Sequence, residues 1–272
     1  MARLRVPSLL ESRLKESRAQ GRGLLIPFFT GCYPSEVGFL SGMRAAVAAG
    51  ADAIEVGVPF SDPLADGPTI QRTSQRALEA GVTLEGILDL LAGLAPGLGA
   101  PIVIMTYANP IHAMGLSAFC ARAAASGVSG LLVSDLPPEE LPELGSRLRE
   151  AGLDRIVLIA PTTRPERCGT LLRHASGFVY CITRTGVTGA GAGFSESLAE
   201  QVAWIRARSD LPIVAGFGVR TAGDVERLKG IADGVVIGAK LLEVLEAASG
   251  IEDLEAAVVR FLTPIRRALD PA

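Results

Sequence analysis

One pattern repeats along this chain. A short, wholly apolar run is followed by a stretch whose apolar residues fall at helical spacing, and then another short apolar run begins. The runs read as eight strands, over residues 24–30, 54–58, 102–107, 130–135, 156–160, 178–183, 212–216 and 234–237. Helical spacing appears near 36–50, 69–80, 84–95, 116–126, 139–151, 164–174, 195–208, 221–229, 240–248 and 251–269. Short strands that are apolar on both faces must be covered on both faces, which is the situation of a parallel sheet wrapped by helices. Eight such units in about 250 residues is the size of a closed (β/α)8 barrel. An open doubly wound sheet is the alternative. No linker or shift of composition divides the 272 residues. The expectation is therefore an α/β chain with a single TIM-barrel domain over 1–272, an extra N-terminal helix and additional helical segments.

Composition mainly excludes. A net charge of −3 with no basic run, and aromatic content of 5%, argue against a nucleic-acid partner. No apolar run approaches the roughly 18 residues that span a bilayer. The opening MARLRVPSLLESRLKES scatters charges among its leucines, so it reads as an amphipathic helix over 8–20 rather than a signal peptide. Ser8 stands three residues before Glu11, the spacing of a capping box. Cys32, Cys120, Cys168 and Cys181 form no CxxC pair, and there are only two histidines, so neither a structural metal nor a disulfide framework is expected. Cys181 reads as a packing residue. The expected location is cytoplasmic.

Chemistry concentrates in AIEVGVPFSDPLADGPTI, residues 53–70. Ile54, Val56 and Val58 alternate with Glu55 and Gly57, so the carboxylate of Glu55 points to the opposite face of its strand. A loop rich in proline and aspartate follows, carrying Asp66 eleven residues further on. A carboxylate inside an apolar strand needs a partner, a proton or a task, because burying a bare charge is costly. Two readings stand side by side: a salt-bridged glutamate with solvated turn aspartates, or an acid–base site. If the barrel is right, the active site lies at the carboxyl ends of the strands. Glu55, Asp66, Tyr107, Asn109, Asp135, Thr183 and Arg184 all fall there. Glycines collect at the same rim, in GVTGAGAG (186–193), GFG (216–218) and Gly238. Loops after the last two strands, with a helix start, commonly cradle phosphate in this fold, since glycine lets N–H groups approach an anion that the helix dipole favours. Plain tight turns would leave the same signature. The dinucleotide fingerprint after the first strand is absent.

EVGVPFSDPLADGPTIQ, MTYANPI, LLVSDLPPEE, APTT, RTGVTG and GFGV, in this order, resemble the tryptophan synthase α chain family across essentially the whole sequence. The resemblance implies a lyase that splits indole-3-glycerol phosphate into indole and glyceraldehyde 3-phosphate by a retro-aldol reaction, with no cofactor or metal in this chain. It implies Glu55 as the acid–base group, Asp66 against the indole N–H, and Tyr180 as a supporting catalytic residue. Phe28, Met105, Leu132, Thr188 and Phe217 would contact the substrate. Gly189, Gly218, Gly238 and Ala239 would bind its phosphate. It further implies a β chain carrying pyridoxal phosphate (PLP) in an α2β2 heterotetramer, with residues 59–62 and the rim near Asn109 and Pro138 facing it, and the 186–193 loop closing over substrate. Many relatives have serine where this chain has Ala239, so one hydroxyl contact to phosphate is lost. Met105 replaces a more usual leucine. A stand-alone lyase releasing free indole is the alternative. An isomerase or cyclase barrel would want a lysine at an inner strand end, and none of the eight strands carries one. A subunit that only activates a partner would not need both Glu55 and Asp66.

Overall fold

The computed structural model describes residues 8–183, 196–216 and 218–271. The chain runs α1 (Leu9–Ala19), β1 (Leu24–Thr30), α2 (Glu36–Ala48), β2 (Ile54–Gly57), α3 (Pro68–Glu79), α4 (Leu84–Leu98) and β3 (Ile102–Thr106). It continues with α5 (Ala108–Met114), α6 (Leu116–Ala125), β4 (Val128–Val133), α7 (Pro142–Glu150), β5 (Asp154–Arg155), β6 (Val157–Ile159) and α8 (Pro165–His174). Then come β7 (Val179–Ile182), α9 (Glu196–Arg206), β8 (Ile213–Gly216), α10 (Ala222–Leu228), β9 (Gly234–Ile237), α11 (Ala239–Ala247) and α12 (Ile251–Leu269). Helix starts follow the local chemistry. Ser8, Ser35 and Thr83 each accept a backbone N–H from three residues on, and Thr221 with Asp224 forms a reciprocal capping box.

All strand pairs are parallel, in the order β5-β4-β3-β2-β1-β9-β8-β7-β6. The two ends of that order are β5 and β6, which are consecutive in sequence and separated only by Ile156. One stretch of chain therefore bonds β4 with its first half and β7 with its second, and the sheet closes on itself. Among the described residues nine strands occupy eight barrel positions, as the alternation predicts.

The register fixes which side chains share the interior. Phe28, Glu55, Val103 and Gly130 pair across β1 to β4 in one row, and Gly57, Met105 and Leu132 in the row above. Paired residues of parallel strands face the same side. A Cβ on Gly57 would overlap the Phe28 ring, and one on Gly130 would meet Ile156, Leu10 and Val103, so these rows face inward. Leu10 and Leu14 of α1 are fully buried, and α1 closes the end of the barrel where the strands begin. A buried polar knot holds that end. Asp52 accepts from Ser17 Oγ at 2.7 Å, the Leu25 N–H at 2.9 Å and Arg266 at 2.9 Å, tying α1, β1 and α12 together.

Two local expectations shift. β4 lies at Val128–Val133 rather than 130–135, because Gly127 in a left-handed turn (φ 77°) starts the strand early. Residues 108–114 form α5, a helix that the sequence reading leaves as loop.

Candidate active site

Glu55 stands on the inner wall of β2, and its side chain is buried to 1% exposure. Neither carboxylate oxygen has a hydrogen-bond partner among the described residues. Among the described residues no cation offsets the burial, and desolvation pushes the carboxyl up to about 8, with a smaller contribution from the Asp66 charge. At neutral pH it holds its proton.

Asp66 is no solvated turn residue. It is 7% exposed, and burial raises it to about 6, opposed by a hydrogen bond from the Tyr107 hydroxyl. That bond, to Oδ2, is 3.1 Å long. Oδ1 is buried with no partner among the described residues. The loop reaches this position because Tyr107 also accepts the Ala65 N–H at 3.1 Å, while Gln71 Nε2 donates to the Asp66 carbonyl at 2.9 Å. Two carboxyls thus sit close enough to interact, one held neutral and one near its midpoint below neutrality. Environments that push two acids apart in this way separate a proton carrier from a fixed negative charge.

Tyr180 comes from β7, four positions from β2 in either direction round the eight-membered wall, so it faces Glu55 across the barrel. It is 3% exposed, and its hydroxyl is pushed well up, first by burial and then by the charges of Glu55 and Asp66. Its ring lies over Gly216, where a Cβ would come within 2.2 Å of the hydroxyl. Phe28, Met105 and Leu132 line the apolar side, all buried, with Met105 and Leu132 paired in register.

On another part of the rim, Gly218 has φ 98°, a conformation that side chains resist, and Gly238 caps α11 without any side-chain bond. Ala239 opens that helix, so the first N–H groups of α11 lack intrahelical partners. A Cβ on Gly238 would stand 3.3 Å from the Phe28 ring, so this helix start lies next to the apolar pocket. The Lys240 ammonium is bonded to Glu243 at 3.0 Å, and Arg220 bonds the same carboxylate at 2.9 Å. Of the residues expected in the site, Glu55, Asp66, Tyr180, Phe28, Met105 and Leu132 come together, with Gly218, Gly238 and Ala239 at the rim. Thr188, Gly189 and Phe217 lie outside the described residues, as do Arg184 and the 186–193 loop.

Cys181 is fully buried in β7 and its thiol is pushed up to about 12 by burial, which suits packing and not nucleophilic attack. Asn109 is exposed in α5, whereas Pro138, expected on the outer rim, is buried. Tyr107 is the residue that sequence reasoning placed at the rim without giving it a task. The signal was a lone tyrosine ending an apolar strand, and its meaning depends on a loop 41 residues earlier folding back onto it.

Comparison with known proteins identifies the family. A family model described as tryptophan synthase alpha chain matches residues 14–269. The tryptophan synthase alpha chain of Dechloromonas aromatica (strain RCB) is 45% identical over 264 residues, covering 97% of this chain and 98% of that one. That of Azoarcus sp. (strain BH72) is 45% identical over 97% of each. Among solved structures, a Mycobacterium tuberculosis tryptophan synthase chain superposes with a TM-score of 0.88 at 35% identity, covering 98% of this chain and 100% of that chain. The alpha chain from Legionella pneumophila subsp. pneumophila gives 0.86 at 32% identity, over 97% and 98%.

Proposed function

The chain belongs to the tryptophan synthase alpha chain family, and from that premise we propose how its residues divide the work of the alpha reaction. The reaction is a step of tryptophan biosynthesis, the lyase cleavage of indole-3-glycerol phosphate. Indole and glyceraldehyde 3-phosphate are the products.

Cleavage needs three things. The indole C3 must gain a proton, so that the ring can leave with the electrons of the C–C bond. The glycerol hydroxyl on the adjacent carbon must lose one as its C–O bond becomes a carbonyl. Positive charge on the ring nitrogen must be stabilised meanwhile. Glu55, neutral at pH 7, gives its proton to C3 and as carboxylate takes the hydroxyl proton, so the cycle closes without net proton change. Asp66, largely ionised at pH 7, accepts the indole N–H and offsets the cation. Tyr180 supports the pair from across the barrel. General acid–base catalysis accounts for roughly 10²–10⁴-fold of the rate. A fixed charge in a buried site supplies a further share. In this proposal the indole lies against Phe28, Met105 and Leu132, and the phosphate rests on the backbone N–H groups of Gly218, Gly238 and Ala239. The further roles of Phe217 and Thr188 toward the ring and of Gly189 toward the phosphate rest on the family resemblance.

The observation that carries the assignment is a buried glutamate, without a hydrogen-bond partner among the described residues, close enough to a second, hydrogen-bonded carboxylate to feel its charge. The test is Glu55→Gln. It removes the proton carrier with almost no change of shape, and cleavage should fall at least about 10³-fold. Binding of a substrate phosphate analogue should persist. Turnover within tenfold of the wild type would remove Glu55 from the mechanism.

We further infer that this chain needs no cofactor of its own and hands indole to a β chain that carries PLP, in an α2β2 assembly. Support comes from the exposed loop beside Asp66, where Ser61 and Asp62 are exposed and Leu64 is 95% exposed. No helix among the described residues is long and apolar enough to cross a membrane. From the biosynthetic role we infer a cytoplasmic location.

A further inference from the structure

Asp66 belongs to a loop with no regular structure, yet the lyase reading asks its carboxylate to meet a ring N–H at one place. Tyr107, just beyond the end of β3, is what holds it. The hydroxyl donates to Asp66 Oδ2 and accepts from the Ala65 N–H, both at 3.1 Å. The ring is stacked with Phe60, centroids 4.8 Å apart and planes inclined by 22°. Residues 60, 65 and 66 thus gather on a single side chain. A phenol has one proton to give, and here Asp66 Oδ2 takes it. The second carboxylate oxygen is buried with no partner among the described residues.

We propose that Tyr107 is a positioning residue for the cleavage: by occupying Oδ2 and the neighbouring N–H, it leaves Oδ1 as the acceptor that Asp66 offers to the indole nitrogen. The inference rests on the lyase reading above. It accounts for how a loop outside any strand or helix fixes the place of a carboxylate. It also separates two jobs within one carboxylate, one oxygen for anchoring and one for the substrate.

Charge follows from the same contact. Glu55 from β2 and Tyr180 from β7 face the Asp66 carboxylate, while Asp135, beyond the end of β4, faces Tyr107 and itself accepts the Ala108 N–H. Among the described residues, the Tyr107 bond is what favours ionised Asp66; burial opposes it. Asp66 must be ionised to act, so activity fails as pH falls through its titration. Loss of the bond moves that failure to higher pH.

Tyr107→Phe tests this in the full chain, because it deletes one oxygen and keeps the ring and its stack. The cleavage kcat should fall about 10- to 100-fold, the scale of a hydrogen bond to a charged group. KM should change less than about twofold, and the acidic limb of kcat against pH should move up. Site-specific incorporation of a fluorotyrosine at position 107, a stronger donor of nearly the same shape, should move that limb down. A rate and pH profile unchanged in both variants would overturn the role of Tyr107 while leaving the lyase reading intact. So would a rise in KM alone with an unmoved limb, which would mark a merely structural contact. Failure of the wild-type chain to cleave indole-3-glycerol phosphate would overturn both.

Discussion

Glu55 is kept in a state that costs the fold something, and the cost has a definite sign. Its carboxyl titrates at about 8 in the folded chain, against an ordinary value of 4.5. A group whose folded value is raised leaves stability intact below its unfolded value, and stability is lost as pH rises toward the folded one. Between about pH 4.5 and pH 8 the unfolded chain releases this proton and the native chain keeps it. Glu55→Gln cannot ionise and escapes that loss. Its melting temperature relative to wild type should therefore climb from pH 5 to pH 8, by an amount that thermal scans in matched buffers would resolve. A constant difference across that range would mean that Glu55 is solvated or paired, and the proton-carrier role would lose its basis. Cores ordinarily exclude such a residue, and a local rule broken without compensation is what a working site leads one to expect.

At the scale of elements, the site depends on close approaches between strands and rings. Tyr180 can lie flat across β8 only because Gly216 has no side chain, since a Cβ there would stand 2.2 Å from the phenol oxygen. Gly216→Ala must push the ring or open the strand pair. Expected outcomes are a loss of roughly 1–3 kcal/mol in denaturant unfolding, the usual scale of overpacking, and a fall in kcat. A further change at position 180 to a smaller residue should recover the stability but not the rate. If Gly216→Ala were neutral in both measurements, Tyr180 would not be held where the barrel puts it. The strands were legible because each is an unbroken apolar run. The split between β5 and β6 was not, because Asp154 and Arg155 look like a polar turn and are nonetheless buried. Nor was α5 visible: Pro110 sits inside ANPIHAM and seven residues offer too few turns for a period to show. Of the site, Glu55 and Asp66 stood out as carboxylates in unusual company. The task of Tyr107 did not, since it arises from a fold-back of the Asp66 loop that no local pattern encodes.

The whole molecule is asymmetric along the barrel axis. α1 and the Asp52–Arg266 pair seal the end where strands begin, while the carboxyls, the apolar pocket and the exposed loop all lie at the other. Indole formed there is small and apolar, and a cap on that end would both retain it and restrict the water that competes with Asp66 for the ring. Leu64 makes such a cap testable. At 95% exposure it contributes almost nothing to the fold, so a substitution there leaves the barrel as it is. If a β chain covers this end, titrating it into the isolated chain should raise the cleavage rate about 5- to 150-fold, the span of ordinary coupling energies. Leu64→Asp should leave the basal rate alone and shift the titration to higher β-chain concentration, because a charge would be buried at the junction. Stimulation by the same concentrations in both proteins would put the partner elsewhere, and no stimulation at any concentration would return the chain to a lyase that works alone.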